Sequence, residues 1–140
     1  MHISVLLNEA IAGLNLKEDG IYVDCTLGDA GHSSEILKRI TRGCLFAFDQ
    51  DEEAIKYSDN ELKKIGNNYK LFHTNFVNLK SSLNDEGIRE VDGIIYADLA
   101  FNGSGQWTNA NGAYSYSKKD KDSLNDYYIC QEEEYQPALY

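Results

Sequence analysis

The stretch Asp24-Cys-Thr-Leu-Gly-Asp-Ala-Gly-His-Ser33 decides the fold of this chain. It follows the apolar run Ile21-Tyr22-Val23, which predicts a short buried strand ending at the carboxylate of Asp24. From Ser33 to Ile40 apolar residues recur at three-to-four spacing and predict a helix. A small-residue turn between a strand and a helix amino terminus is how α/β proteins present backbone to a ligand. The stretch therefore predicts a ligand-binding unit of strand, turn and helix.

A second carboxylate stands at the spacing that recognition of a ribose requires. The apolar run 44–48 predicts a second strand, and Asp49 at its end follows Gly28 by 21 residues. In Rossmann-type folds an acid about 20 residues after the glycine turn accepts the ribose hydroxyls. The dinucleotide fingerprint G-x-G-x-x-G would need glycine at two positions where this chain has Ala30 and Ser33. The pattern thus indicates a nucleoside cofactor and disfavours a dehydrogenase.

Strand-like and helix-like segments alternate through the first hundred residues. Further strands are predicted at 70–73 and 91–96, and the second of these is a continuous apolar run typical of a strand covered on both faces. Helices are predicted for 5–14, for 52–65 and for 76–83. Four strands alternating with helices favour a parallel sheet with right-handed crossovers. We therefore expect an α/β, Rossmann-like fold in three layers.

The composition changes after residue 100. Residues 1–100 contain 26 Ile, Leu and Val, whereas residues 101–140 contain three. The last forty residues also hold six of the ten tyrosines and Trp107. Such a segment cannot build its own core by aliphatic burial. We expect a cofactor-binding domain at 1–100, followed at 101–140 by a divergent polar and aromatic tail that is packed on the sheet or partly disordered.

Length, charge and cysteine spacing limit the possible classes. A chain of 140 residues forms one sizeable core. Its net charge of -10 has the wrong sign for a surface that neutralises phosphates, so charge alone does not predict RNA binding. The cysteines Cys25, Cys44 and Cys130 lack CxxC spacing, which favours a reduced, cytoplasmic protein without a metal site. No apolar stretch is long enough for a membrane span, and no secretion signal is recognisable.

Several motifs in this order resemble the RsmH family, also called MraW. They are His2 to Glu9, Gly20 to Asp24, the turn ending Gly31-His32-Ser33, Asp49-Gln50-Asp51, Asn75-Phe76 and Val91 to Ile95. The resemblance covers residues 1 to 99, and the later sequence diverges from the family. The family comprises S-adenosylmethionine-dependent enzymes that methylate the N4 amino group of a cytidine in small-subunit ribosomal RNA. Because family members are much longer, the resemblance implies a class I methyltransferase sheet that is incomplete at its late strands. It also implies S-adenosyl-L-methionine as cofactor and the 30S particle or its RNA as partner.

The resemblance further implies which residues contact the cofactor. The turn contacts its methionine part, Asp49 its ribose and Phe76 its adenine, while Asp98 lies where amino-methylating enzymes present polar groups to the target nitrogen and the methyl donor. Gln106 matches a glutamine of the family that contacts the cofactor. The complete predicted set is Ala30, Gly31, His32, Asp49, Phe76, Asp98 and Gln106. No residue is assigned as catalytic.

The residue pattern alone leaves some of these roles open. Phe76 fits the core of a following helix equally well, and His32 fits a helix-capping residue. Asp24, at the end of the first strand, is expected to lie near the ammonium group of the cofactor. If position 30 needs a left-handed backbone, alanine there costs about 1–2 kcal/mol.

A second hypothesis from another class explains the short length, the acidic surface and the divergent tail. The chain could be a truncated cofactor-binding module without catalytic activity, acting as a binding or oligomerising protein. A sheet without its late strands leaves an apolar edge, so we also expect a homodimer.

Overall fold

The computed structural model describes residues 7–75, 78–96, 99–107, 114–116 and 127–129. Its strands are β1 (Ile21–Asp24), β2 (Cys44–Asp49), β3 (Tyr69–His73), β4 (Glu90–Tyr96), β5 (Leu99–Trp107), β6 (Tyr114–Tyr116) and β7 (Tyr127–Ile129). Its helices are α1 (Leu7–Leu14), α2 (Gly31–Arg39), α3 (Glu52–Leu62) and α4 (Leu79–Asp85). Within these ranges no helix has the length and apolar character needed to cross a membrane.

The first four strands form a parallel sheet in the order β3-β2-β1-β4. Strand order reverses beside β1, because β2 lies on one side of it and β4 on the other. In open α/β sheets such a reversal opens a crevice at the carboxyl ends of the strands, where ligands bind. The predicted parallel α/β fold is confirmed, and its switch point lies next to the turn that follows β1.

The helices cover both faces of this sheet. Side chains alternate along each strand, so Tyr22 and Leu45 pack with α1, α2 and α3, while Val23 and Phe46 pack with α4. Both clusters are apolar, and their central side chains are fully buried. The three-layer arrangement predicted from the sequence is therefore present.

Beyond Tyr96 the sheet continues with antiparallel strands. Tyr96 pairs with Leu99, β5 runs antiparallel to β4, and β6 and β7 each run antiparallel to the strand before them. Backbone pairing needs no aliphatic side chains, and tyrosine-rich segments suit strands. Because β5 occupies the edge of β4, the open edge from which a homodimer was expected is not present there.

Candidate cofactor-binding site

The carboxylate of Asp49 joins the ends of β1 and β2. Its Oδ2 accepts a hydrogen bond from the backbone N–H of Gly28 at 2.9 Å, and its Oδ1 accepts one from the N–H of Asp51 at 2.8 Å. Each carboxylate oxygen has about two lone-pair sites, so each keeps one for a ligand hydroxyl. The side chain is half-buried at the switch-point side of the sheet. This position suits the predicted ribose contact, which itself stays a prediction.

The turn after β1 has an unusual backbone. Gly28 has φ +54° and Ala30 has φ +68°, both in the left-handed region. Position 30 therefore does need a left-handed backbone, and alanine there carries a strain of about 1–2 kcal/mol. Its methyl group is fully buried in the cluster under α1, α2 and α3. Burying that methyl offsets part of the strain, because a buried methylene-sized group contributes about 0.8 kcal/mol.

The buried carboxylate of Asp24 holds the turn by hydrogen bonds with residues on either side of it. Its side chain is fully buried, with Oδ1 accepting from the N–H of Thr26 at 3.0 Å and Oδ2 accepting from the hydroxyl of Ser33 at 2.7 Å. This carboxylate therefore has no exposed surface for direct contact with a ligand. The expectation that Asp24 lies near the cofactor ammonium stays a prediction. Burial raises the pKa of Asp24, and the bonds from Ser33 and Thr26 oppose that rise.

Two further residues of the predicted set, Gly31 and His32, lie in the first turn of α2. The helix begins at Gly31, two residues before the predicted start. The N–H of Gly31 donates to Oδ1 of Asp29 at 3.1 Å, and a Cβ at position 31 would lie 3.3 Å from the same oxygen. The structure therefore brings Ala30, Gly31 and His32 together beside the end of β1.

Asp29 is a residue that the sequence reasoning missed. Its Oδ2 is buried and has no hydrogen-bond partner among the residues that the structure describes. A carboxylate inside a turn of otherwise small residues was the available signal. An acceptor in this state is suited to a cationic group, because a buried unpaired carboxylate oxygen is costly.

The acidic residues after β2 begin a helix. Asp51 is the N-cap of α3 and accepts from the N–H of Glu53 at 2.9 Å. Glu52 and Glu53 occupy the first turn, where negative charge favours the helix dipole. The prediction that these residues start the helix is confirmed.

The described residues beside the turn do not include three of the predicted cofactor contacts, Phe76, Asp98 and Gln106. Phe76 and Asp98 lie outside the described residues. Gln106 pairs with Glu90 at the start of β4, whereas Asp24 pairs with Ile95 near its end. Five residues along a strand span roughly 16 Å. The structure therefore places Gln106 at the opposite end of the strands from the turn, because β5 runs antiparallel to β4.

In the described ranges no group of three or more His, Cys, Asp or Glu side chains could hold a metal ion. The candidate site is thus the switch-point end of β1 and β2, where the described polar groups include backbone amides, the carboxylates of Asp29 and Asp49 and the imidazole of His32.

Strand order, switch point and turn together define a Rossmann-like α/β fold, and solved methyltransferases share it. An rRNA methylase from Streptococcus thermophilus matches with a TM-score of 0.54 at 22% identity, covering 67% of this chain and 55% of that chain. A SAM-dependent O-methyltransferase from Thermotoga maritima matches with a TM-score of 0.56 at 17% identity, covering 69% of this chain and 35% of that chain. At these identities the likeness shows the fold.

The particular family follows from the sequence. The model of the MraW methylase family matches residues 1–136, and the chain belongs to this family. The match continues past residue 99, where the resemblance was expected to end. A similar relative, the ribosomal RNA small subunit methyltransferase H of Mesoplasma florum, is 56% identical over 115 residues. That alignment covers 82% of this chain and 37% of the relative, so the chain spans little more than a third of the relative's length.

Proposed function

We propose that this chain binds S-adenosyl-L-methionine and transfers its methyl group to the N4 amino group of a cytidine in small-subunit ribosomal RNA. The observation that carries the proposal is the Asp49 carboxylate held against the Gly28 amide at the switch point, in a chain of the MraW methylase family. A relative named ribosomal RNA small subunit methyltransferase H supports the choice of RNA substrate. With a ribosomal substrate, the proposal puts the activity in the cytoplasm.

The nucleoside end of the cofactor would be held at Asp49. Both oxygens of this carboxylate are oriented by backbone amides, and both keep a lone pair for a hydroxyl. Two adjacent ribose hydroxyls match that pair of acceptors. In the proposal Phe76, which follows β3, covers the adenine, and Asp98, which follows β4, lies beside the transferred methyl group.

The amino-acid end would be held by the turn. Ala30, Gly31 and His32 form the junction of the turn with α2, where backbone N–H groups favour a carboxylate. The buried Oδ2 of Asp29 lacks a partner among the described residues, so the turn also contains an acceptor suited to an ammonium. The residues present therefore fit a ligand that carries both charges.

When bound, S-adenosylmethionine supplies an electrophilic methyl group on a sulfonium. In the proposed transfer the N4 amine would take up that methyl group and release one proton to water, leaving the demethylated cofactor. The protein's part is to hold the amine in line with the methyl group, because positioning is the larger share of such catalysis. Asp98 would orient the amine by accepting a hydrogen bond from one of its N–H groups.

The net charge of -10 favours binding of the cofactor but does not favour binding of the RNA. Acidic residues around the turn favour a sulfonium cofactor with a net positive charge, but they do not attract phosphate. Membership of a methylase family supports the catalytic hypothesis over the binding-only alternative.

The test is transfer of a labelled methyl group from S-adenosylmethionine to 30S particles or their naked RNA by the purified chain. We expect label at a cytidine N4, lost in Asp49→Ala. Cofactor binding without transfer would contradict the catalytic proposal and leave the binding-only module. Absence of cofactor binding would contradict both. Light scattering of the same sample tests the predicted homodimer, which a monodisperse monomer would contradict.

A further inference from the structure

Gly28 lies between two peptide groups that are each held by a distant element. Its N–H donates to Asp49 at the end of β2, as described above. Its carbonyl oxygen accepts a hydrogen bond from the hydroxyl of Ser58 in α3 at 3.1 Å, across 30 residues of sequence. Ser58 is fully buried.

These two bonds hold the peptide groups on either side of Gly28, within a turn that the Ala30 N–H closes by donating to the Leu27 carbonyl at 2.9 Å. The N–H belongs to the peptide group before the Cα and the carbonyl to the peptide group after it, so anchoring both restricts φ and ψ. Glycine adopts positive and negative φ about equally readily, and here φ is +54°. Without the second anchor, the peptide group between Gly28 and Asp29 is freer to rotate within the turn that the Ala30-to-Leu27 hydrogen bond closes. The left-handed Ala30 follows directly, so such a rotation changes the turn that leads into α2.

The serine has no evident role within its own helix. A serine inside a helix usually faces solvent or donates to a carbonyl one turn earlier, and alanine is the better helix former. Ser58 instead directs its hydroxyl out of α3 toward the turn. A buried hydroxyl is costly without a partner, and Gly28 supplies that partner.

The same face of α3 also orients Asp49. The N-cap Asp51 donates its backbone N–H to Asp49, and Ser58 follows seven residues later, two helical turns along. One rigid helix therefore holds both the predicted ribose acceptor and the turn.

We propose that Ser58 is a positioning residue for the cofactor, acting by holding the Gly28 carbonyl so that the turn at 28–32 has its binding shape before the ligand arrives. This inference rests on the proposed function. Removing one such bond weakens binding of S-adenosylhomocysteine, the product form of the cofactor, by about three- to tenfold.

The experiment compares wild type, Ser58→Ala and Tyr69→Phe. Tyr69 donates a different hydrogen bond to α3, at Asp59 Oδ1 and 2.6 Å, and this bond does not reach the turn. We measure the dissociation constant of S-adenosylhomocysteine by calorimetry, the melting temperature, and hydrogen exchange at the Gly28 amide in the ligand-free chain.

The proposal expects Ser58→Ala to weaken binding and to speed exchange at the Gly28 amide. It expects Tyr69→Phe to lower the melting temperature with binding unchanged. A Ser58→Ala chain that melts earlier but binds and exchanges as wild type does would overturn the positioning role and leave the proposed function intact. A wild-type chain that does not bind the ligand would instead overturn the proposed function and the inference with it.

Discussion

The carboxylate of Asp49 and the backbone amide of Gly28 meet at 2.9 Å and hold together the ends of two neighbouring parallel strands. The glycine belongs to the turn that would face the cofactor's amino-acid end, and the aspartate is the predicted ribose contact. One hydrogen bond therefore couples the two halves of the proposed site. Changes at Asp49 should affect both halves at once.

Replacing Asp49 with asparagine should weaken binding of S-adenosylhomocysteine by about ten- to a hundredfold, as expected for loss of a hydrogen bond to a charged group. An amide has one acceptor oxygen, so its NH₂ group would face the N–H of either Gly28 or Asp51. Calorimetry gives the affinity. The matched control is Asp51→Asn, which makes the same change in charge and keeps a good N-cap. An equal loss of affinity in both variants would show that only net charge matters and would contradict the account.

The buried Asp24 should make stability fall with rising pH. Because burial raises its pKa above the ordinary 3.8, the folded state binds its proton more tightly than the unfolded state does. Its contribution is therefore fully present below the unfolded pKa and is lost as pH rises through the folded pKa. The Asp24→Asn variant has no such dependence, and its amide can still accept from Thr26 N–H and donate to the Ser33 hydroxyl.

The measurement is urea unfolding of wild type and Asp24→Asn at a series of pH values rising from about 4, the ordinary pKa of this carboxyl. The free energy of unfolding of wild type minus that of the variant should decrease as pH rises. An increase would mean that folding lowers the pKa of Asp24, which would contradict the role given to its burial.

Alanine at Gly43 should destabilise the chain far more than alanine at Gly28. A Cβ at position 43 would lie 2.0 Å from the carbonyl oxygen of Gly20, where β1 and β2 begin, so backbone must move. We expect a loss of about 3 kcal/mol or more. At Gly28 the nearest atom to such a Cβ is 3.9 Å away, and only the positive φ opposes alanine, at about 1–2 kcal/mol. Urea unfolding of both variants checks this order, and the reverse order would contradict the packing described.

Tyr69 should lose its phenolic proton at a higher pH than an ordinary tyrosine does. Burial, together with the hydrogen bond and charge of Asp59, raises the pKa of Tyr69 to about 12. Because the folded pKa exceeds the ordinary 10.0, the stability from this group is present below that value and is lost as pH rises toward about 12. The difference between the tyrosinate absorbance titrations of wild type and Tyr69→Phe isolates this group. A midpoint near 10.0 would contradict the Asp59 contact.

The parallel half of the sheet was predictable to within one residue at each strand end. Buried parallel strands read as continuous apolar runs, and 91–96 is the clearest example. The turn was predictable as well, because glycine and small residues between Asp24 and Ser33 are what a strand-to-helix junction at a ligand requires.

Side-chain direction was not predictable in the same way. A carboxylate at the end of a strand can turn outward to a ligand or inward to the backbone, and the pattern around Asp24 does not distinguish these. Ser58 is one polar residue in a helix of mixed charge, and only the fold brings it to Gly28. The strands after Tyr96 depend on backbone pairing, which composition does not reveal, so the position of Gln106 could not be anticipated.

The most direct test of the account is a crystal structure of the chain with S-adenosylhomocysteine. Both ribose hydroxyls should lie within hydrogen-bond distance of the Asp49 carboxylate, and the amino-acid end of the ligand should lie against residues 28–32. A ligand bound elsewhere, or a crevice at the ends of β1 and β2 filled by the protein's own side chains, would contradict it.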